Sequence, residues 1–352
     1  MNKESTSKTS ETVLTGAYHA LEINRFVLDY KQINLREVLN IEESPCDFYI
    51  LRQGLPHRLH EKNHELNNQT LREWVEAGIS KIFIKAREHK NLIEKQNENL
   101  RSNTRSLSIG DPLDKSRRQT SLLATHLKFF YEDTANDELL NLLHQSIRSF
   151  ANFLMEHMKI HHMTYSDFSR QKHHYIHSQP VLSSLFLIGV LKQARIFSDK
   201  DIENLFVTSF LKDVGMSCIP IEKYSQKELN LADKKLLLNH AQNSVSILLN
   251  RIPLSAHSLK IIENHHNFST LTRELEHFTP DPPKRLITGI ETTLVSITDI
   301  IAAMISERPY RPATSLFQSL DLIRELISNQ HPQEFKLLIS YFKNYFSKSK
   351  AN

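Results

Sequence analysis

Residues 211–220, LKDVGMSCIP, close an apolar run and decide how the C-terminal half of the chain is read. Ile202, Phe206, Phe210 and Asp213 are spaced by four, four and three residues, which puts them on one stripe of a helix with a 3.6-residue period. That stripe should be core, so Asp213 is expected to be buried with Lys212 beside it. A buried carboxylate is costly unless it is paired, hydrogen-bonded or bound to a metal. A salt bridge or a helix cap meets that need as well as a metal does, and the segment alone leaves these open.

Other residues fall on apolar stripes in the same half. His265 and His266 follow Ile261 and Ile262 by four in AHSLKIIENHH, and His240 follows Leu237 by three in KKLLLNHAQ. Asp299 shares a helical side with Val295, Ala302 and Ala303, whose small side chains leave room around it. His177 follows His173 by four, a spacing that lets two imidazoles on adjacent turns approach one cation. With 19 histidines in 352 residues, about twice an ordinary share, each of them taken singly reads as a core or surface histidine. Together they form an ordered series in which each member sits on its own helix.

Composition narrows the class. The length allows a sizeable core and either two domains or one domain with a helical preamble. Basic and acidic side chains nearly balance, 44 against 40, and no long basic block occurs, so nothing in the charge requires nucleic acid or a membrane. Cys46 and Cys218 are far apart, and no leader pattern is present, which predicts a reducing, cytoplasmic setting. The most apolar long window, 286–305, is interrupted by Glu291 and Asp299, so it reads as a buried helix rather than a membrane span.

The pattern along the chain predicts a mainly α protein. Residues 1–15 are polar and read as a disordered tail. Residues 16–100 read as a small α+β module, with strands in CDFYILRQ (46–53) and ISKIFIK (79–85) and a helix in NQTLREWVEAG ending on Gly78. SLSIGDPLDKS (106–116) marks a break inside a region of linker and connecting helices, 101–165. Helical periodicity then holds over 166–347, with breaks at Asp199, Pro220, Pro253, FTPDPPKR and RPYRP, before a 348–352 tail.

The series in 166–347 resembles the HD superfamily of metal-dependent phosphohydrolases, and within it the HD-GYP group, which hydrolyses cyclic di-GMP. The resemblance rests on IHSQPVL, on SFLKDVGMSCIP where the family reads HD-x-GK-x-x-I-P, and on NHAQNSVSIL, ENHHN, VSITDIIAAM and ERPYR. It implies an all-α HD-type domain in which His177, Asp213, His240, His265, His266 and Asp299 are metal ligands and Asp213 bridges two cations. His173 stands where some members carry a further glutamate ligand. Iron or manganese is implied, with two ions activating water for in-line attack on a phosphodiester. Arg308 and Arg311 would hold the phosphate; the plainer reading is a helix terminus closed by Pro309 and Pro312.

Three departures bear on activity. The histidine of the HD pair is Lys212, so the catalytic pair here is Lys212 and Asp213. At about 4 Å an ammonium repels a dication by several kcal/mol even at an effective dielectric near 20, which implies one or two ions at reduced occupancy. The lysine of HD-x-GK is Met216, and NFSTLTRELEHFTPDPPKR follows His266 without a Gly-Tyr-Pro. The expected function is a degenerate HD-GYP-like signalling protein that binds cyclic di-GMP or a related nucleotide with weak or no turnover. The alternatives are an active metal-dependent cyclic di-GMP phosphodiesterase with a rebuilt centre, and a nucleotide phosphohydrolase using one metal on His177, Asp213 and Asp299. Expected partners are a cyclic dinucleotide, a second copy through the connecting helices, and a signalling protein. The N-terminal module carries no motif with evident chemistry.

Overall fold

The computed structural model describes residues 29–268 and 289–349, and the chain divides into two units, Met1–Asn99 and Leu100–Asn352. The 1–15 tail, the FTPDPPKR break and residues 350–352 lie outside the described residues.

In the first unit, β1 (Tyr30–Asn34), β2 (Phe48–Arg52), β3 (Leu55–His60) and β4 (Lys81–Lys85) form an antiparallel sheet in the order β1-β4-β2-β3. Helix α1 (Asn68–Glu76) begins where the Asn67 side chain accepts a hydrogen bond from the Thr70 N–H at 2.9 Å. Gly78, at φ +77°, releases the chain from that helix in the left-handed conformation glycine tolerates. Trp74 from the helix and Ile33, Phe48, Ile82 and Ile84 from the sheet share one core. The strands and helix predicted within 46–85 are present. β1 and β3 were not predicted, because YKQIN is mostly polar and β3 is an edge strand carrying Pro56.

Helix α2 (His89–Arg105) leads into the second unit. There α3 (Pro112–Glu132) starts at an Asp111 cap with Pro112 in its first turn, which accounts for the break in SLSIGDPLDKS. Next come α4 (Asp137–Glu156), α5 (His161–Arg170), α6 (Tyr175–Ala194) and α7 (Asp199–Leu211). A 3₁₀ turn (Val214–Cys218) leads to α8 (Ile221–Tyr224), α9 (Leu231–Leu238), α10 (His240–Leu248) and α11 (Ala256–Asn264). Helices α12 (Ile290–Met304), α13 (Leu316–Ile327) and α14 (Pro332–Ser349) complete the described chain.

Helix α6 is the axis of this unit. Apolar or small side chains surround it almost entirely, as expected of a helix buried on all sides, and it packs on α12 and α7. Gly189 lets Tyr341 of α14 lie against its backbone, where a Cβ would come within 2.4 Å of the ring. Helices α3 and α4 bury Leu122, Leu123, Leu127, Phe130, Leu140 and Leu143. The compact unit therefore takes in helices that the periodicity suggested as connectors. Within the apolar window ending at Ile305 the described residues carry α12, and among the described residues no helix is long and apolar enough to cross a membrane.

One buried histidine here sets a pH dependence of stability. His161 donates from Nε2 to the Leu154 carbonyl at 2.8 Å, while its buried Nδ1 has no partner among the described residues. Burial, only partly offset by that hydrogen bond, lowers its pKa to about 4. The unfolded chain then binds more protons between about pH 6.5 and 4, so this stability is full above 6.5 and declines as pH falls, by about 3 kcal/mol in all. Urea unfolding at pH 7.5 and 4.5 should show the loss, and His161→Gln, which keeps an N–H donor but does not titrate, should reduce it. An equal loss in the variant would assign the acid sensitivity elsewhere.

Candidate metal centre

Lys212 and Asp213 leave the end of α7 just before the 3₁₀ turn, and Gly215 in that turn presses on the start of α10. A Cβ on Gly215 would lie 2.1 Å from the His240 carbonyl oxygen and 2.5 Å from the Ser244 nitrogen, so only glycine permits the approach. The Gly215 N–H donates to Ser244 Oγ at 2.8 Å, and Tyr131 of α3 donates its hydroxyl to the Asp213 carbonyl at 2.8 Å. These contacts fix Asp213 and His240 relative to each other. His265 and His266 join them from the end of α11.

The four side chains offer ligand atoms that all lie within 4.8 Å of one another. Nδ1 of His240 meets the Leu237 carbonyl, and Nδ1 of His265 meets the Ile262 carbonyl at 2.6 Å. A carbonyl only accepts, so each Nδ1 carries a proton, and in the neutral ring each Nε2 presents a lone pair. Those two Nε2 atoms stand 3.1 and 3.2 Å from Asp213 Oδ1 and 3.4 Å from each other. His266 Nε2 is 3.0 Å from His240 Nε2. Three acceptors converging on one point cannot satisfy each other; a cation can. Metal-binding histidines commonly show this pattern, with the far ring nitrogen anchored to a backbone carbonyl. Burial first, and the neighbouring His265 and His240 next, hold the His266 pKa well below its ordinary value, in the neutral form that ligates. Three imidazole nitrogens and one carboxylate oxygen fit a first-row divalent cation.

The other face of Asp213 is taken. Lys212 is wholly buried, and its ammonium donates to Asp213 Oδ2 and, at 2.7 Å, to Asp299 Oδ1 on α12. Burial alone would lower the lysine pKa, but the Asp213 and Asp299 carboxylates more than offset it and raise it. For Asp213, burial works against ionisation, yet the Lys212 charge beside it leaves its pKa well below the ordinary range. A charged triad of one ammonium and two carboxylates is thus built into the core.

This centre forms one corner of a cavity of about 800 Å³ whose wall includes Tyr175, Gln179, Met216, Lys227, Leu237, Arg308, Tyr310 and Arg311. The RPYR segment makes a tight backbone bridge between Arg308 and Arg311, with paired N–H to carbonyl bonds of 2.9 and 3.1 Å. Arg308 lies 4.8 Å over the Tyr175 ring, donates to the Tyr310 hydroxyl at 2.7 Å and donates to Gln179 Oε1. Arg311 donates to the Ala303 carbonyl at 2.7 Å. Neither arginine pairs with Glu307 in these contacts. Met216 packs beside Tyr175, Ile176, Ile219 and Tyr224.

Of the residues singled out by sequence, Asp213, His240, His265 and His266 come together, with Lys212 and Asp299 adjoining them. The structure does not bring His173 or His177 into the group of four. His177 is buried at the start of α6 with its ring 5.2 Å from Tyr131, and burial, then the nearby His174, holds its pKa well below the ordinary value. His173 stacks on Phe168 at 5.2 Å and meets Gln171. Gln179, Tyr175 and Tyr131 are site residues that periodicity missed. Only their placement beside His177 and on α3 hinted at them, and neutral side chains on an apolar face give no charge signal.

No protein-family model and no curated protein matches the chain. Among solved structures, a protein of Bdellovibrio bacteriovorus described as an HDG"Y"P protein superposes with a TM-score of 0.62 over 90% of this chain and 100% of its own, at 15% identity. The chain has the fold of that HDG"Y"P protein, mainly α with an HD-type helical domain.

Proposed function

We propose that the chain binds a cyclic dinucleotide, cyclic di-GMP or a close relative, at a centre holding a single divalent cation, iron or manganese, with weak or no turnover. The observation that carries this reading is the Lys212 ammonium between Asp213 and Asp299. In the resemblance those carboxylates serve two cations, and the ammonium takes the place of the second. The remaining cation falls to His240, His265, His266 and Asp213. When bound, it supplies a Lewis acid able to polarise a phosphoryl oxygen.

The chain's own groups account for recognition. Arg308 and Arg311 stand on the cavity wall where a phosphodiester would be held, and Tyr175 and Tyr310 offer aromatic surface for bases. The cavity is of a size suited to a nucleotide ligand. Efficient in-line hydrolysis gains from cations on both the attacking and the leaving oxygen, and the ammonium cannot coordinate water. This favours a ligand-binding signalling role in the cytoplasm, passed on to a second copy or another signalling protein.

The deciding experiment combines a metal count with an assay. Protein purified without oxygen should hold one iron or manganese per chain and bind cyclic di-GMP that chromatography recovers intact. Two metals per chain with linear product would overturn the reading in favour of an active phosphodiesterase with a rebuilt centre.

A further inference from the structure

The geometry points to Gln179 as a positioning residue that ties the anion-binding arginine to the buried ion triad. It stands on the first turns of α6 and makes two side-chain hydrogen bonds of opposite sense. Its Nε2 donates to Asp299 Oδ1 at 2.8 Å, on the same oxygen that receives the Lys212 ammonium at 2.7 Å. Its Oε1 accepts from Arg308 Nη2. A carboxylate can only accept and a guanidinium can only donate, so the amide has one possible orientation. No other side chain of that length joins an acceptor-only group to a donor-only group without repelling one of them.

The consequence falls on Arg308. Its guanidinium is held at three points: Gln179 on Nη2, Tyr310 on Nη1, and the Tyr175 ring 4.8 Å beneath it. Its buried Nε has no partner among the described residues. One hydrogen remains on each Nη for an anionic oxygen in the cavity that Arg308 lines. Fixing the plane in advance removes the side-chain entropy a free arginine would lose on binding. Gln179 thereby makes the placement of the arginine depend on Asp299, which Lys212 holds in turn.

This inference rests on the proposal that Arg308 meets a phosphodiester, so the test has one arm that needs no nucleotide. Phenylglyoxal labelling, resolved by peptide mass spectrometry, should modify Arg308 slowly in the native chain and about tenfold faster in Gln179→Ala, as expected when a hydrogen bond to a charged group is lost. Arg311, held by Ala303, should keep its rate. Gln179→Glu still accepts from Arg308 and should stay slow, which separates positioning from general loosening. In the second arm the Kd for cyclic di-GMP should rise about tenfold in Gln179→Ala, and the change should add almost nothing on top of Arg308→Ala. Native labelling rates in Gln179→Ala, or additive effects of the two substitutions, would overturn the role. If the native chain binds no cyclic di-GMP, the functional reading falls while the labelling arm still decides Gln179.

Discussion

Replacing Lys212 with methionine is expected to destabilise the metal-free protein by about 3–5 kcal/mol, the usual cost of removing one partner from a buried charge network. Methionine keeps the length and apolar stem of lysine, so packing changes little and the lost charge dominates. What remains is a pair of buried carboxylates, Asp213 and Asp299, that shared a single ammonium. Two routes relieve them: protonation, or a divalent cation taking the vacated place. Urea unfolding with a chelator should reveal the full deficit, and excess manganese should recover a large part of it by binding the folded state alone. The sign with pH also follows. In the native chain Lys212 offsets the burial that opposes Asp213 ionisation, and the Asp213 pKa is depressed. That stability is present above the unfolded carboxylate range, about pH 4, and is lost as pH falls through the folded value. The gap between native and variant should therefore be widest above about pH 4 and narrow below it. A deficit under about 1 kcal/mol would mean that the ammonium is not what neutralises the pair.

Lys212→His should have the second large effect, on metal content. An imidazole at 212 can ligate where an ammonium cannot, and it releases Asp213 Oδ2 and Asp299 Oδ1 from the ammonium, with Gln179 still donating to Asp299 Oδ1. Iron or manganese measured after anaerobic purification should rise from one to two per chain. The first cation should be little affected, because His240, His265, His266 and Asp213 Oδ1 lie on the other side of the carboxylate. An unchanged count in a folded variant would show that something other than the ammonium excludes the second ion.

Much of this site was legible in the sequence because charge on an apolar stripe is conspicuous. Asp213 stood out against Phe206 and Phe210, and the paired His265 and His266 against Ile261 and Ile262, since a polar group on a core stripe demands a partner. The partners themselves were harder to read. Nothing in the order of residues says that Lys212 reaches both Asp213 and Asp299 on another helix, although a salt bridge for Asp213 was among the sequence readings. Gln179 carries no charge and sits among residues that pattern as core, so its link to Arg308 emerges only in three dimensions. In the first unit, β2 and β4 were visible through their aromatic and β-branched residues. β3 was hidden by its exposed edge, yet Gln53 and Gly54, both at positive φ, form a two-residue turn that an X-Gly step between strand-like runs can signal. The burial of α3 and α4 within the helical unit was invisible to periodicity, which reports an apolar face without saying what covers it.

The close approach at Gly215 also bears on how a cation would be captured. Asp213 and His240 are locked together by backbone contact and by the Gly215–Ser244 bond, before any ion arrives. The pocket is thus preorganised: its ligands need not be gathered from separate positions, and little reorganisation is left for the ion to drive. Selectivity would then come from a rigid aperture, admitting ions whose radius suits it, more than from a flexible cage closing around whichever ion is most abundant.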